Sequence, residues 1–254
     1  MKTLQGFIEK VERAPRLDFG DTIGKSFDLF GNIWTQGLLL QGILIAVIYG
    51  ITIITYLPLM GSAFILEGSD SPEGIEEMIL GILTVLFMLV LYIIYAVFAF
   101  ALQAAFFNII RMKDRGLRNQ EGVNFGMFIK KKHIKKVFVL TMCQIGIAIL
   151  AVLLFIIPIF YVIIPLQFAT IIFAFNPDWT VNDIYKAAFK LGTAKWGISF
   201  ASVLVGGFIA MLGVNACFIG VLATASFAIL PGYLIYKGVI GFTEDDDMIA
   251  QIGA

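Results

Sequence analysis

The sequence contains few charged residues and few side chains that bind metal ions. Only 14% of its 254 residues are charged, whereas roughly a quarter are charged in a soluble domain. The two cysteines, Cys143 and Cys217, lie inside apolar runs, and His133 is the single histidine. These residues are too few for a disulfide framework, a zinc cluster or a histidine-ligated metal site. We therefore predict no metal, no cofactor and no catalytic residues.

The sequence contains several long apolar runs. Hydrophobic residues make up 59% of the sequence, and the mean hydropathy is +0.93. A helix needs about 20 apolar residues to cross the hydrocarbon core of a bilayer, which is roughly 30 Å thick. Measured against that length, the runs predict six transmembrane helices, over residues 37–59, 78–107, 137–156, 159–175, 197–215 and 218–240.

Two of the apolar runs are about twice the length of one span and must fold back. Pro158 divides the first of these runs, and a turn around Asn215–Gly220 divides the second. Pro165 should kink the fourth helix. We expect an all-α, polytopic membrane protein of three helical hairpins with amphipathic interfacial helices. The membrane domain would cover residues 37–243, between an N-terminal segment (1–36) and an acidic tail (244–254).

Basic residues are distributed very unequally among the predicted loops. All 18 lie before the first span, between the second and third, between the fourth and fifth, or near the end of the sixth. The loop of residues 61–77 has five acidic residues and no basic one. The positive-inside rule then places both termini in the cytoplasm. The sequence thus predicts a multi-pass protein of the bacterial inner membrane.

Large apolar residues recur at helical spacing just before the first span. They predict an amphipathic helix that lies at the membrane interface before the chain turns into the bilayer. A second such helix is expected after an approximate capping box at Thr180 and Asp183. The similar aromatic pattern of the two helices fits either a threefold repeat or the common demands of an interface. The predicted interfacial anchors are Phe19, Ile23, Phe27, Phe30, Trp34 and Trp196.

The segment between the second and third spans is strongly basic. Its nine basic residues outnumber Asp114 and Glu121 by seven. Next to a membrane, each basic residue attracts anionic headgroups by about 1 kcal/mol. The segment has no aromatic stacking platform, which argues against direct nucleic-acid binding. A docking surface for a cytosolic or membrane partner is the alternative. The candidate headgroup- or partner-binding residues are Arg111, Lys113, Arg115, Arg118, Lys130, Lys131, Lys132, Lys135 and Lys136.

Three short segments carry a resemblance to known proteins: the amphipathic segment Ile23–Phe30, the turn Asp114–Gly116 and the segment Asp183–Leu191. In these places and in its overall pattern the chain resembles the YciC-like (UPF0259) proteins, the DUF975 proteins and the membrane domain of glycerophosphoryl diester phosphodiesterases. It departs from the usual serine at Ala188. The resemblance implies six spans and no common reaction, because the phosphodiesterase activity of the last group resides in a separate soluble domain.

Apart from Lys237, the predicted spans contain no charged residue, and coupled transporters usually require such residues inside the membrane. The sequence therefore predicts a non-enzymatic protein, an accessory or scaffold subunit of a membrane complex such as a translocation or insertion machine. The alternative is uncoupled transport of lipids or small solutes, or membrane homeostasis. Six amides form either interhelical hydrogen bonds or a substrate path: Gln41, Gln103, Asn108, Gln144, Gln167 and Asn215.

Overall fold

The computed structural model describes residues 3–66, 75–117, 124–154, 157–215 and 219–242. This part of the chain is helical and contains no strand, which confirms the predicted all-α class. Arg118, Cys217 and the acidic tail lie outside the described residues. The helices are α1 (Leu4–Arg13), α2 (Phe19–Leu66), α3 (Ile75–Asp114), α4 (Lys131–Leu153), α5 (Ile157–Phe175), α6 (Val181–Ala194), α7 (Trp196–Asn215), α8 (Ile219–Thr224) and α9 (Leu230–Ile240).

In the described part of the chain, five helical segments are long and apolar enough to cross a membrane, as expected of a multi-pass membrane protein. They coincide with the first five predicted spans: Phe19–Tyr56, Gly81–Asp114, Lys131–Leu153, Pro158–Phe175 and Trp196–Gly213. The second and third extend into the segment between them, so α3 and α4 include much of the basic segment that the sequence places in a loop.

The sixth predicted span is divided in the structure. α8 ends at Thr224, a 3-10 turn covers Phe227–Ile229, and α9 begins at Leu230. Pro231 lies at the start of α9. Its missing N–H is tolerated at a helix start, but a proline in the interior of a longer helix would interrupt that helix. The apolar segment Phe227–Ile240 is therefore shorter than the five other candidates.

The first predicted span is also different, because α2 is one continuous helix of 48 residues. The sequence predicts an interfacial helix that turns before the span begins near residue 37. Gly37 is instead buried within α2, and a Cβ there would collide with the Ser226 side chain. Glycine thus allows α2 to pass very close to the chain before α9, with no break in the helix at this point.

The described chain forms two units. Unit 2 comprises Gly42–Ala99, and unit 1 comprises the remaining residues. Most large side chains described in unit 2 are exposed and apolar, as expected where a helix faces hydrocarbon. The largest fully buried side chains all lie in unit 1, among them Phe106, Phe168 and Tyr233. The candidate sites below are in unit 1.

Helix α6 confirms the amphipathic helix predicted after Thr180. The Thr180 hydroxyl accepts a hydrogen bond from the Asp183 N–H at 3.2 Å, which satisfies one of the free donors at the helix start. The predicted apolar face is buried at Ile184, Ala188 and Leu191. This face packs against neighbouring helices.

Helix α6 folds back along α5. Gly192, near the end of α6, lies against Pro165 in the middle of α5. Pro165 leaves the Tyr161 carbonyl without its usual N–H donor, and the Trp196 indole N–H donates to that oxygen at 3.3 Å. The chain after α6 therefore supplies the hydrogen bond that the proline removes from α5.

Candidate functional site

Several helix ends with basic residues meet at one end of unit 1. Lys136, near the start of α4, donates to the Pro177 carbonyl at 2.6 Å in the turn after α5. Asn108, near the end of α3, donates to the Ala174 carbonyl at 2.9 Å near the end of α5. The end of α3, the start of α4 and the end of α5 are therefore held together by side-chain to backbone hydrogen bonds.

Asp114 joins the end of α3 to α9. Its Oδ2 accepts hydrogen bonds from the Tyr233 hydroxyl at 2.7 Å and from Lys237 Nζ at 2.6 Å. The carboxylate is 14% exposed and the Lys237 side chain 41%. Gly116 follows with φ +62°, the left-handed conformation that commonly ends a helix. The turn Asp114–Gly116, noted in the sequence analysis, thus ends α3 and joins it to α9.

Arg111 is buried, so it does not belong to an accessible binding surface. Its guanidinium carbon lies 5.4 Å from the Phe175 ring centroid and 5.5 Å from that of Phe242. Cation–π attraction at such distances is strongest where water is excluded. Arg115 is half-buried. Part of the predicted basic surface therefore stabilises the fold.

Four other predicted residues form an exposed cluster that we name the lysine row: Lys130, Lys131, Lys132 and Lys135. None of the four side chains has a hydrogen bond or an ion pair with any residue in the described ranges. The row occupies the first turns of α4 and the residue before it. Cations at the N-terminal end of a helix oppose its dipole, so the row does not help α4 to form.

Lys113 lines a cavity of about 310 Å³ together with charged residues from two other helices. Lys25 and Asp28 come from α2, and Lys237 comes from α9. Sequence analysis missed Lys25 and Lys237 as possible members of the basic site, because α2, α3 and α9 meet only in the fold. The cavity contains both signs of charge, and Lys25 forms an ion pair with Asp21 at 2.6 Å.

The six predicted interfacial anchors differ in how far their side chains are exposed. Phe19, Phe27 and Trp34 are exposed, while Ile23, Phe30 and Trp196 are half-buried. Besides its bond to Tyr161, the Trp196 ring stacks on Phe200 with centroids 4.8 Å apart. The buried face of α2 lies instead on a neighbouring stripe that contains Ser26, Leu29, Ile33 and Leu40.

The N-terminal helix α1, which the sequence analysis did not predict, covers part of the same end. Lys10 Nζ donates to the Ile240 carbonyl at 2.7 Å, and Lys190 forms an ion pair with Glu12 at 2.6 Å. Phe7 is fully buried and packs edge-on to Trp179 at 5.7 Å. The i, i+4 pair of Phe7 and Val11, both buried, is the sequence signal that could have predicted this helix.

Three of the six predicted amides meet at a groove of about 470 Å³ that we name the amide groove. Gln144 Nε2 donates to the Leu166 carbonyl at 2.9 Å and contacts Thr170 Oγ1 at 3.4 Å. Within the described part of the chain, the side-chain amides of Gln103 and Gln167 have no hydrogen-bond partner. The apolar walls include Ile145, Ala148, Ile163, Leu166, Val203 and Ile229.

The described residues contain no cluster of three His, Cys, Asp or Glu side chains that could hold a metal ion. Cys143 is half-buried in α4. Comparison of the chain with protein-family models, with curated proteins and with solved structures finds no match. The resemblance to the YciC-like and related membrane proteins therefore stays a prediction from the residue pattern.

Proposed function

We propose that this protein is a non-enzymatic protein of a bacterial inner membrane and an accessory or scaffold subunit of a membrane complex. In this proposal the segment Phe227–Ile240 completes a sixth crossing together with α8, and both termini lie in the cytoplasm. The lysine row faces the cytoplasmic leaflet or an acidic surface of the partner. A translocation or insertion machine is the class of partner that we favour.

The lysine row carries this proposal. Each cation at the start of α4 costs about 0.3–1 kcal/mol through the helix dipole, and no described residue offsets that cost with an ion pair. An anionic surface outside the chain would offset it, because a basic residue beside acidic lipid gains about 1 kcal/mol. The arrangement is unfavourable for the chain alone and favourable beside an anionic partner.

Exposed apolar side chains on α7 support the same function. Leu204, Phe208, Met211 and Leu212 are 49–69% exposed, and Gly207 on this helix has open space around it. A helix surface of this kind suits contact with lipid or with a helix of another membrane protein.

A pair of matched double variants tests the lysine row. Lys131→Gln/Lys132→Gln removes two charges from the row, and Arg16→Gln/Lys186→Gln removes two exposed charges elsewhere. Native mass spectrometry of the protein from nanodiscs should show about tenfold weaker retention of phosphatidylglycerol for the first variant at low salt, and little change for the second. Equal losses in the two variants would contradict a specific role for the row.

The partner is tested by purification from the native membrane in a gentle detergent, followed by mass spectrometry. A stoichiometric partner that dissociates from the Lys131→Gln/Lys132→Gln variant supports the scaffold function. A particle without protein partners would contradict it and favour the second function, uncoupled handling of lipids or small solutes. The amide groove is the observation that favours this second function.

A further inference from the structure

The amide groove lies between α3, α4, α5, α7 and the 3-10 turn before α9. Among the described residues that line it, none is charged. The polar groups are three glutamine amides and Thr170, and they stand beside apolar walls. Four of these elements, α3, α4, α5 and α7, contain segments that are long and apolar enough to cross a membrane. The amides are therefore surrounded mainly by apolar groups.

The three glutamines differ in their hydrogen bonds, and this difference separates two explanations of the predicted polar seam. Gln144 joins α4 to α5 through the Leu166 carbonyl, so interhelical bonding explains its presence. Gln103 and Gln167 are half-buried, but their side-chain amides have no hydrogen-bond partner among the residues described. Interhelical bonding therefore does not explain them. An amide in apolar surroundings without a hydrogen bond costs about 1–3 kcal/mol.

The size of the groove favours a small ligand over a partner helix. Its lining runs from Ile163 to Thr170 on α5 and from Gln144 to Ala148 on α4, or about 10 Å and 6 Å at 1.5 Å per residue. A transmembrane helix would need a strip closer to 30 Å long. The volume of about 470 Å³ is typical of small-molecule sites, which span roughly 300–1,000 Å³.

We propose that the amide groove binds a lipid-soluble molecule whose uncharged head carries hydroxyl or carbonyl oxygens. The Gln103 and Gln167 amides donate to these oxygens and accept from a hydroxyl, while the apolar part of the ligand lies against residues such as Val203. A charged head is excluded because the groove offers no counter-charge. Diacylglycerols and quinones share this chemistry. The site goes beyond the scaffold function and does not depend on the lysine row.

The test measures binding of two probes, dioleoylglycerol and a ubiquinone, to the full-length protein by native mass spectrometry in detergent. Saturable binding of either probe is expected and identifies which of the two ligand types fits. Gln103→Leu and Gln167→Leu should each weaken it about fivefold, because each removes a hydrogen bond in apolar surroundings. The double variant should bind more weakly than either single variant. Gln41→Leu is the matched control, since it makes the same change outside the groove lining.

A second pair of variants tests the groove without removing an amide. Ala148→Phe fills the groove and should abolish binding, whereas Gly146→Phe adds the same ring on α4 at an exposed position with open space. Phosphatidylglycerol retention should be equal in all these variants, which separates this test from that of the lysine row. The proposal is overturned if neither probe binds saturably, or if Ala148→Phe binds as tightly as Gly146→Phe.

Discussion

Gly192 provides the sharpest test of how α6 packs on α5. A Cβ at residue 192 would lie 2.8 Å from Pro165 Cα and 2.9 Å from Pro165 Cγ and N. These atoms belong to the backbone and the proline ring, so they cannot rotate away as the end of a long side chain can. Gly192→Ala should therefore push α6 away from α5.

The size of the effect follows from two opposing contributions. In an unobstructed helix interior, replacing glycine with alanine stabilises a protein by about 1 kcal/mol. Overpacking of a tight contact costs about 1–3 kcal/mol. Gly24→Ala is the matched control, because a Cβ at residue 24 of α2 would meet no atom within 4 Å. The free energy of unfolding should differ between the two variants by the overpacking cost alone.

The measurement is thermal unfolding in detergent, followed by tryptophan fluorescence. Since 1 kcal/mol shifts the Tm of a protein of this size by about 2–4 °C, the Tm of Gly192→Ala should lie about 2–12 °C below that of Gly24→Ala. If both substitutions raise the Tm equally, α6 does not pack closely on Pro165, and the described contact between α5 and α6 is wrong.

Three further substitutions test single contacts by the same thermal measurement or by hydrogen exchange. Asp114→Asn should lower the free energy of unfolding by about 2 kcal/mol. This is less than the full cost of breaking a buried ion pair, because Lys237 is partly exposed. An unchanged Tm would refute a stabilising role for the contact between Asp114 and α9. Trp196→Phe should cost about 1 kcal/mol, because the Tyr161 carbonyl loses its donor. Lys10→Met should speed hydrogen exchange in α1 selectively, because it removes the bond to the last turn of α9; uniform exchange would contradict it.

The first five apolar helices and α6 could be predicted because their signals are local. A span needs only an uninterrupted apolar run of sufficient length, and α6 follows a capping residue, Thr180, that is recognisable from four adjacent positions. The division of the sixth segment has a local cause as well, namely Pro231 at the start of α9. The sequence analysis nevertheless predicted one span over residues 218–240, because the apolar run is long enough for one.

The candidate sites depend on contacts between distant parts of the chain and could be predicted only in part. Glutamines in apolar runs are visible in the sequence, but their grouping into one groove requires the packing of α3, α4 and α5. The same is true of Lys25 and Lys237, which approach Lys113 only when three helices meet. Sequence analysis could therefore identify the types of side chain and not which of them share a site.

Helix ends distinguish cations that stabilise the fold from cations that remain available. Arg111 and Lys113 lie in the last turn of α3, where a positive charge is favourable to the helix dipole, and the Arg111 guanidinium lies over two aromatic rings. Lys131 and Lys132 lie in the first turn of α4, where the same charge is unfavourable. A count of basic residues treats all four alike. By their positions relative to the helix ends, the first pair is favourable to the fold itself, whereas the second pair is unfavourable to it and would gain from the anionic surface that we propose.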